Sequence, residues 1–545
     1  MKTVFLKFSA ILLAGLMLLP LLAACDNPPS GSTPADSSSK GGQTSFTEEE
    51  EGKPVINERF DGQTVNFYVT GAGLNSRSID IGEGDDPTYS VNVQVKKRNE
   101  QVEKELGVDI VLKEVDGMSS FPFLLPSILA SGVYTYDVLS LYQYFDLGYA
   151  LDEQSRGCFY DLNDLPEGVT SYLNPNASYW SKVLYEGLDY KDTAFYITGD
   201  LNQSYLGTMF VSYVNTRLWE EYKDEIADLE HSGGYCDPYE IVKKGYWTMD
   251  LLMELANLVY EDDGDKVKNY TDQAGFMTYD QQLNNIMVDM LLAGCGIRHS
   301  SIRADGTPDI TIDTPENKAI YEKLYKLLCE SGTVTIPWLR SESEDETLYI
   351  LDVFAAGKVL VNVNILAGTE EYLADMKDGF TVLPLPMLDR AQFDESSPSL
   401  GYASQTGDSV SQYAICKAIG DEKLPCVTAT LELMAYYSEK WVTPAYYQAA
   451  LGKLSTDLRV REMLELTRAG LYTDFALIWS SHLDNVIWQW RQHFTEKDKI
   501  EKNLRYWDRS VTGKLQNGLL DVIEKGFDVK DVTYPQPQKQ DKKRS

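Results

Sequence analysis

Histidine is scarce: only four occur, His231, His299, His482 and His493, in 545 residues. None stands in an H-E-x-x-H arrangement, so a zinc-hydrolase centre has no ligand set to rest on. No C-x-x-C spacing, G-x-S-x-G or Walker A sequence occurs either. Their absence removes the thioredoxin-like redox pair, the hydrolase nucleophile elbow and the phosphate-cradling P-loop. Basic residues are outnumbered, 49 Lys and Arg against 83 Asp and Glu, for a formal net charge of −34. Such a surface repels phosphate backbones and excludes nucleic acid as a partner. Long apolar runs are confined to the first two dozen residues, and no later stretch is apolar enough to span a bilayer.

What is present begins at the N-terminus. Lys2 and Lys7 precede an apolar run from about Ala10, which closes on Leu22-Ala23-Ala24-Cys25. A positive n-region, an apolar h-region and small residues before a cut are the parts of a secretory leader. The four closing residues resemble a bacterial lipobox, in which the cysteine takes diacylglycerol and becomes the new N-terminus. That resemblance implies a signal peptide over 1–24, lipidation at Cys25 and a place on the outer face of the cell membrane. Acyl chains contribute about 0.8 kcal/mol per buried CH₂, so two or three hold more stably than one. Residues 25–58 follow, rich in Pro, Ser, Gly and Thr with the acidic run Glu48 to Glu51. They carry too little apolar surface to offset ordering entropy and are expected to be a flexible tether. Removing 24 residues leaves 521, too many for one ordinary core, so two or more lobes are expected. Six cysteines remain beyond Cys25, an even number that allows 15 pairings. Their apolar surroundings favour buried free thiols for most of them.

Thr64 to Val69 alternates and predicts a first strand, ending at Gly71-Ala72-Gly73. Ser76 stands where a dinucleotide fingerprint needs its third glycine, so a ligand-facing loop is the preferred reading. Val91 to Leu106 predicts an amphipathic helix stopped by Gly107. Val108 to Leu112 and Tyr136 to Leu141 predict two further strands, the second after another helix. Alternating strands and helices imply right-handed βαβ units and a parallel sheet. Ligands sit at the carboxyl ends of such strands, which places Gly71 to Asn75 and Tyr142 to Asp146 at the edge of a cleft.

Further along, Gly157-Cys158-Phe159-Tyr160-Asp161-Leu162, Ala194 to Asp200, Met209 to Glu221, Trp247-Thr248-Met249-Asp250-Leu251-Leu252, Phe354 to Val359 and Gly379 to Pro386 follow one another in a recognisable order. In that order the chain resembles the bacterial extracellular solute-binding proteins of the family that includes maltose-binding proteins. Pro444 to Leu477, and Arg98 to Glu103 in the first long helix, look like a lipoprotein subgroup from Gram-positive anaerobes. The resemblance implies an α/β, two-lobed periplasmic-binding-protein-like fold of class II, with a hinge and an interlobe cleft. Lobe one would be 59–205 with 385–450, lobe two 206–384 with 451–535, and 536–545 a disordered tail. It further implies a monomer that is not an enzyme and has no cofactor. Such a protein captures a small solute, a sugar or oligosaccharide first of all, and delivers it to ABC permease subunits.

Rings that stack on pyranose faces and amides or carboxylates that bond hydroxyls are the residue types such a site needs. By position the candidates are Asn75, Tyr142, Tyr144 and Asp146 at strand ends, and Asn202 and Tyr205 at the first crossover. Asn364 follows a strand, Tyr402 and Gln405 lie in a polar loop, and Trp479 lies near a helical aromatic that maltose-binding proteins use. Ala367 stands where the family has a stacking tryptophan, a departure from a maltose-like site. Trp488 reads as helix core ahead of a ligand role. Asp80 to Asp86 and Asp262 to Asp265 lack calcium-loop spacing and read as solvated turns. Two rival functions remain at this stage. A secreted glycosidase would need two carboxyls at a set separation, and a ligand sensor or surface scaffold would use the same fold without transport.

Overall fold

A computed structural model describes residues 52–70, 78–82, 84, 86, 88–115, 136–143, 158–191, 193–280, 286–336, 349–405, 410–452, 457–483, 485 and 496–527. The expected leader, Cys25, the expected tether up to residue 51 and the tail lie outside them, as do the helix expected between the second and third strands and Trp488. The last residues of the expected tether are described and held to the fold, with Lys53 Nζ 3.0 Å from Glu105 Oε1 and Ile56 packed against the core.

The strands are β1 (Gln63–Thr70), β2 (Val108–Val115), β3 (Val138–Tyr142), β4 (Phe210–Asn215), β5 (Ala274–Tyr279), β6 (Ser300–Ile302), β7 (Pro308–Ile310), β8 (Val334–Ile336), β9 (Val359–Ile365), β10 (Phe380–Leu383) and β11 (Ser411–Ile415). The helices that position the site are α1 (Ser90–Leu106), α2 (Gln203–Thr208), α3 (Met249–Val259), α4 (Pro315–Glu330), α5 (Leu424–Tyr437), α6 (Thr443–Leu451), α7 (Leu458–Ala469), α8 (Phe475–Ile478) and α9 (Ile500–Lys514).

Two larger sheets form, with strand orders β11-β3-β1-β2 and β10-β4-β9-β5-β8. In the first, β1 runs parallel to β2 and β3, while β11 is antiparallel to β3. In the second, β5 runs parallel to β8 and β9, while β4 is antiparallel to β9 and β10. The two orders share a core: an early strand lies between its two parallel successors, and an antiparallel strand is added on one side, as the edge β11 in the first sheet and as β4, followed by β10, in the second. Each antiparallel strand is delivered by a crossover from the other lobe. The parallel sheet expected from the alternating segments is therefore present, with its antiparallel edge added by a strand 270 residues away in sequence.

Local sequence explains the elements. Val65, Phe67 and Val69 are buried along β1, the period-2 face of a strand packed under helices. Val91, Val95, Arg98, Val102 and Leu106 are buried at helical spacing along α1. Gly107 ends α1 in the left-handed region at φ 73°, its N–H returning to Glu103 O, and a Cβ there would lie 2.1 Å from Asp61 Oδ1. Thr248 caps α3 by accepting from Leu251 N, as the threonine before an apolar helix predicts. Glu432, buried within α5, accepts from Tyr179 Oη (2.5 Å), Trp180 Nε1 (2.8 Å) and Asn174 N (3.1 Å). That bonding fixes the 174–181 stretch against the strand segment leading to the first crossover, where Asp200 N donates to Tyr179 O.

After β10 the chain stays with the second sheet: Met387 N donates to Trp247 O, Gln392 Nε2 to Gly294 O and Tyr402 Oη to Val242 O. It rejoins the first sheet at β11, well past 385. Six free cysteines are described, four of them buried, with Cys236 and Cys329 exposed.

Candidate functional site

The carboxyl ends of β1 and β3 stop at Thr70 and Tyr142, and Ser411 opens β11 directly opposite Tyr142. Just behind this edge Gln412 Nε2 donates to Gln143 Oε1 (3.0 Å) and Leu184 O (2.8 Å). Its Oε1 is buried with no protein partner.

The first crossover runs beside that edge. Thr198 Oγ1 and Asn202 Nδ2 both donate to Ser411 O, at 2.7 and 2.9 Å, and Asn202 Oδ1 caps α2 by accepting from Tyr205 N. Between them Asp200 is wholly buried. Its Oδ1 accepts from Tyr205 Oη at 3.0 Å and from the Arg468 guanidinium at 2.5 Å, while Oδ2 has no partner. Burial pushes the Asp200 carboxyl above the usual carboxylate range, and the Arg468 charge works against that rise. Burial likewise drives the Tyr205 hydroxyl far above its ordinary value.

Arg468 leads into the segment that completes the site. Ser404 N donates to Gly470 O and Tyr472 N to Ser404 O, which sets Gln405 alongside. Tyr472 Oη donates to Ile297 O at 2.9 Å, with the Arg298 guanidinium 3.3 Å over its ring. Thr473 Oγ1 turns the other way and donates to Val183 O at 2.9 Å. Asp474 turns back, accepting from His299 N (2.6 Å), Ser300 Oγ (2.5 Å) and Ala476 N (3.0 Å) as the cap of α8. Burial opposes ionisation at Asp474, yet the His299 side chain, the Ser300 hydroxyl and the His299 N–H together hold its carboxyl below the usual range. Trp479 follows α8, its ring 5.9 Å from Phe475 and 5.8 Å from His482. Trp479 Nε1, Ser480 Oγ and Gln405 Nε2 are all buried without a partner among the described residues.

An unmet buried donor or acceptor costs about 1–3 kcal/mol. Five such atoms, on Asp200, Gln405, Gln412, Trp479 and Ser480, lie on segments hydrogen-bonded to one another in series. The arrangement offers donors and acceptors with fixed geometry. It is suited to holding a polar molecule.

The structure brings Asn202, Tyr205, Gln405 and Trp479 onto this connected set of segments. Asn364 stands close by, near the end of β9 opposite Val211, where Ala367 N bonds Gly207 O at the end of α2. Its Nδ2 lies 3.5 Å from Asn362 Oδ1. Tyr402 is buried beneath the set, with its hydroxyl committed to Val242 O at 2.8 Å. Asn75, Tyr144 and Asp146 fall outside the described residues, and for Tyr142 only the backbone is described. Sequence reasoning missed Asp200, Arg468, Gln412, Ser480 and the Thr473–Asp474 turn. Only Asp474 carried a local sign, an aspartate directly before a short apolar helix.

No protein-family model matches the sequence, and no curated protein matches it either. Solved structures do. The extracellular solute-binding protein from Staphylococcus aureus in complex with maltose is 12% identical and has a TM-score of 0.51, covering 84% of this chain and 99% of its own. The chain has the fold of an extracellular solute-binding protein. The cyclic α-maltosyl-1,6-maltose binding protein from Arthrobacter globiformis is 14% identical, with a TM-score of 0.49, covering 86% and 100%. UgpB from Mycobacterium tuberculosis, in complex with glycerophosphocholine, is 14% identical, with a TM-score of 0.49, covering 84% and 99%.

Proposed function

We propose that this chain captures a small, uncharged, hydroxyl-rich solute, a sugar or oligosaccharide, between its two lobes and delivers it to an ABC importer. The observation that carries the reading is the set of buried polar atoms on Asp200, Gln405, Gln412, Trp479 and Ser480 that have no partner among the described residues, on segments hydrogen-bonded to one another in series. Hydroxyl groups both donate and accept, so one polyol can satisfy amide, indole, hydroxyl and carboxylate together. A ligand touching both lobes favours the closed form by its contacts with each. Asn75, Tyr142, Tyr144, Asp146, Asn202, Tyr205, Asn364, Tyr402, Gln405 and Trp479 are the proposed ligand set, with Tyr402 acting from beneath. Lobe one is 59–205 with 411–450, and lobe two 206–405 with 451–535. Cys25, lipidated, ties the folded part to the outer face of the membrane through the 25–58 tether.

A thermal-shift screen across sugars, polyols and peptides tests the reading. A ligand at a thousand times its Kd stabilises by about 4 kcal/mol, so a carbohydrate hit raises Tm by several degrees and shows no turnover. A response confined to another solute class, or glycoside hydrolysis, overturns it.

A further inference from the structure

The stretch Lys182 to Thr193 belongs to lobe one, through Leu184 O and the Ser181 N to Thr198 O bond. Lobe two touches it at three places, none of them a crossover. Thr473 Oγ1 donates to Val183 O at 2.9 Å, while its neighbours Tyr472 and Asp474 point the opposite way and bond Ile297, His299 and Ser300. This alternation makes 472–474 an extended strap with one side on each lobe. The β6–β7 hairpin tip reaches the same stretch: Lys191 N donates to Gly306 O at 3.0 Å. There Gly306 lies at φ 78° and Lys191 at φ 55°, and a Cβ on Gly306 would stand 2.4 Å from Lys191 Cα. Left-handed backbone is unfavourable for a lysine and persists where surroundings enforce it. Lastly, Glu524 on the C-terminal helix accepts from Tyr190 Oη (2.7 Å) and Lys191 Nζ (3.2 Å). That helix continues α9, which is fastened to lobe two by Lys318 Nζ to Glu501 (3.1 Å) and Asp313 N to Asp508 (3.1 Å).

We propose that Val183–Lys191, gripped by Thr473, the Gly306 hairpin tip and Glu524, is a clasp that sets how far the lobes open, with Gly187 as the positioning residue that permits closure. The proposal rests on the two-lobed binding reading. Gly187 decides it because a Cβ there would come within 2.2 Å of Thr473 Oγ1 and 2.9 Å of Thr473 Cβ. Its own φ lies outside the glycine-favouring region, so alanine is a wedge against the other lobe and leaves its own backbone unstrained. Closure sets the fraction of binding-competent protein, so the clasp adjusts affinity without touching solute.

The test uses the full mature chain without ligand. In Gly187→Ala, small-angle scattering shows a larger radius of gyration, and the Lys191 amide exchanges about tenfold faster, with unchanged circular dichroism. Gly187→Ala/Thr473→Ala, which removes the nearest clashing atom, moves both readings part of the way back. Thr473→Val, which deletes the hydroxyl and keeps the volume, speeds exchange without the wedge, and it keeps the test valid if Gly187→Ala misfolds. Wild-type scattering and exchange in Gly187→Ala and Thr473→Val, or a double variant no more closed than the single, overturns the clasp. Both readings are taken without solute, so a working clasp on a chain that binds no carbohydrate would defeat the binding reading alone.

Discussion

Arg468→Met isolates the buried charge at the first crossover. In the native protein Asp200 is wholly buried, and its one ionic partner is the Arg468 guanidinium at 2.5 Å, whose side chain is 22% exposed. Removing one member of a buried pair costs about 3–5 kcal/mol because the other charge is left in a poor solvent. Partial exposure of Arg468 points to the lower end, about 3 kcal/mol. For a chain of this size, extrapolating the size scaling, 1 kcal/mol moves Tm by about 1 °C, so the loss is about 3 °C at pH 7. The sign of the pH dependence follows from burial, which already raises the Asp200 carboxyl above its ordinary 3.8; without Arg468 it rises further. The penalty is complete above the folded pKa and disappears as Asp200 takes up a proton, so the gap between variant and wild type narrows from pH 7 to pH 5. Thermal unfolding of both proteins at the two pH values measures it, and Asp200→Asn/Arg468→Met recovers most of the loss. A gap of equal size at both pH values, or a double variant worse than the single, refutes the reasoning.

Three other perturbations have defined outcomes. Asp189, inside the 183–191 stretch, is raised to about 7 by burial and by the nearby Glu186 and Asp161 charges. A rise from 3.8 is about 4 kcal/mol at face value, cut by its partial exposure to about 1–2. The penalty is present above pH 7 and fades as pH falls toward 4, so Asp189→Asn raises Tm at pH 8 and not at pH 4; an equal gain at both would contradict the assignment. At Glu432, Gln keeps an acceptor for Trp180 Nε1 and Asn174 N and can donate to the Tyr179 hydroxyl, so Glu432→Gln unfolds within about 1 kcal/mol of wild type. Glu432→Leu orphans three donors and loses about 3 kcal/mol or more, and denaturant titration separates the two. Ser480→Ala removes a buried hydroxyl with no protein partner and stabilises the ligand-free protein by about 1 kcal/mol, while weakening the solute found by the thermal screen; unchanged affinity would remove Ser480 from the site.

Where sequence information is local, it settled the structure. The alternation of Val65, Phe67 and Val69, the four- and three-residue spacing along α1, the stop at Gly107 and the Thr248 cap depend on neighbours within one turn or one pleat, and the structure reproduces each. The order of the first strand and helix segments likewise implied one parallel sheet, that of β1, β2 and β3, because alternating segments have few right-handed ways to pack. Tertiary structure alone decided the rest. Asp200 and Arg468 are 268 residues apart, Thr473 and Val183 are 290 apart, and Gln412 and Gln143 are 269 apart. In each pair the two groups are ordinary in their own stretches, and at Val183 it is the backbone carbonyl that takes part. Their roles come from being set face to face once crossovers bring distant segments together, and packing is a property of the whole that no window of sequence contains. The return to the first sheet at β11 was illegible for the same reason: before it the chain bonds Met387 to Trp247 and Tyr402 to Val242, contacts without a sequence pattern.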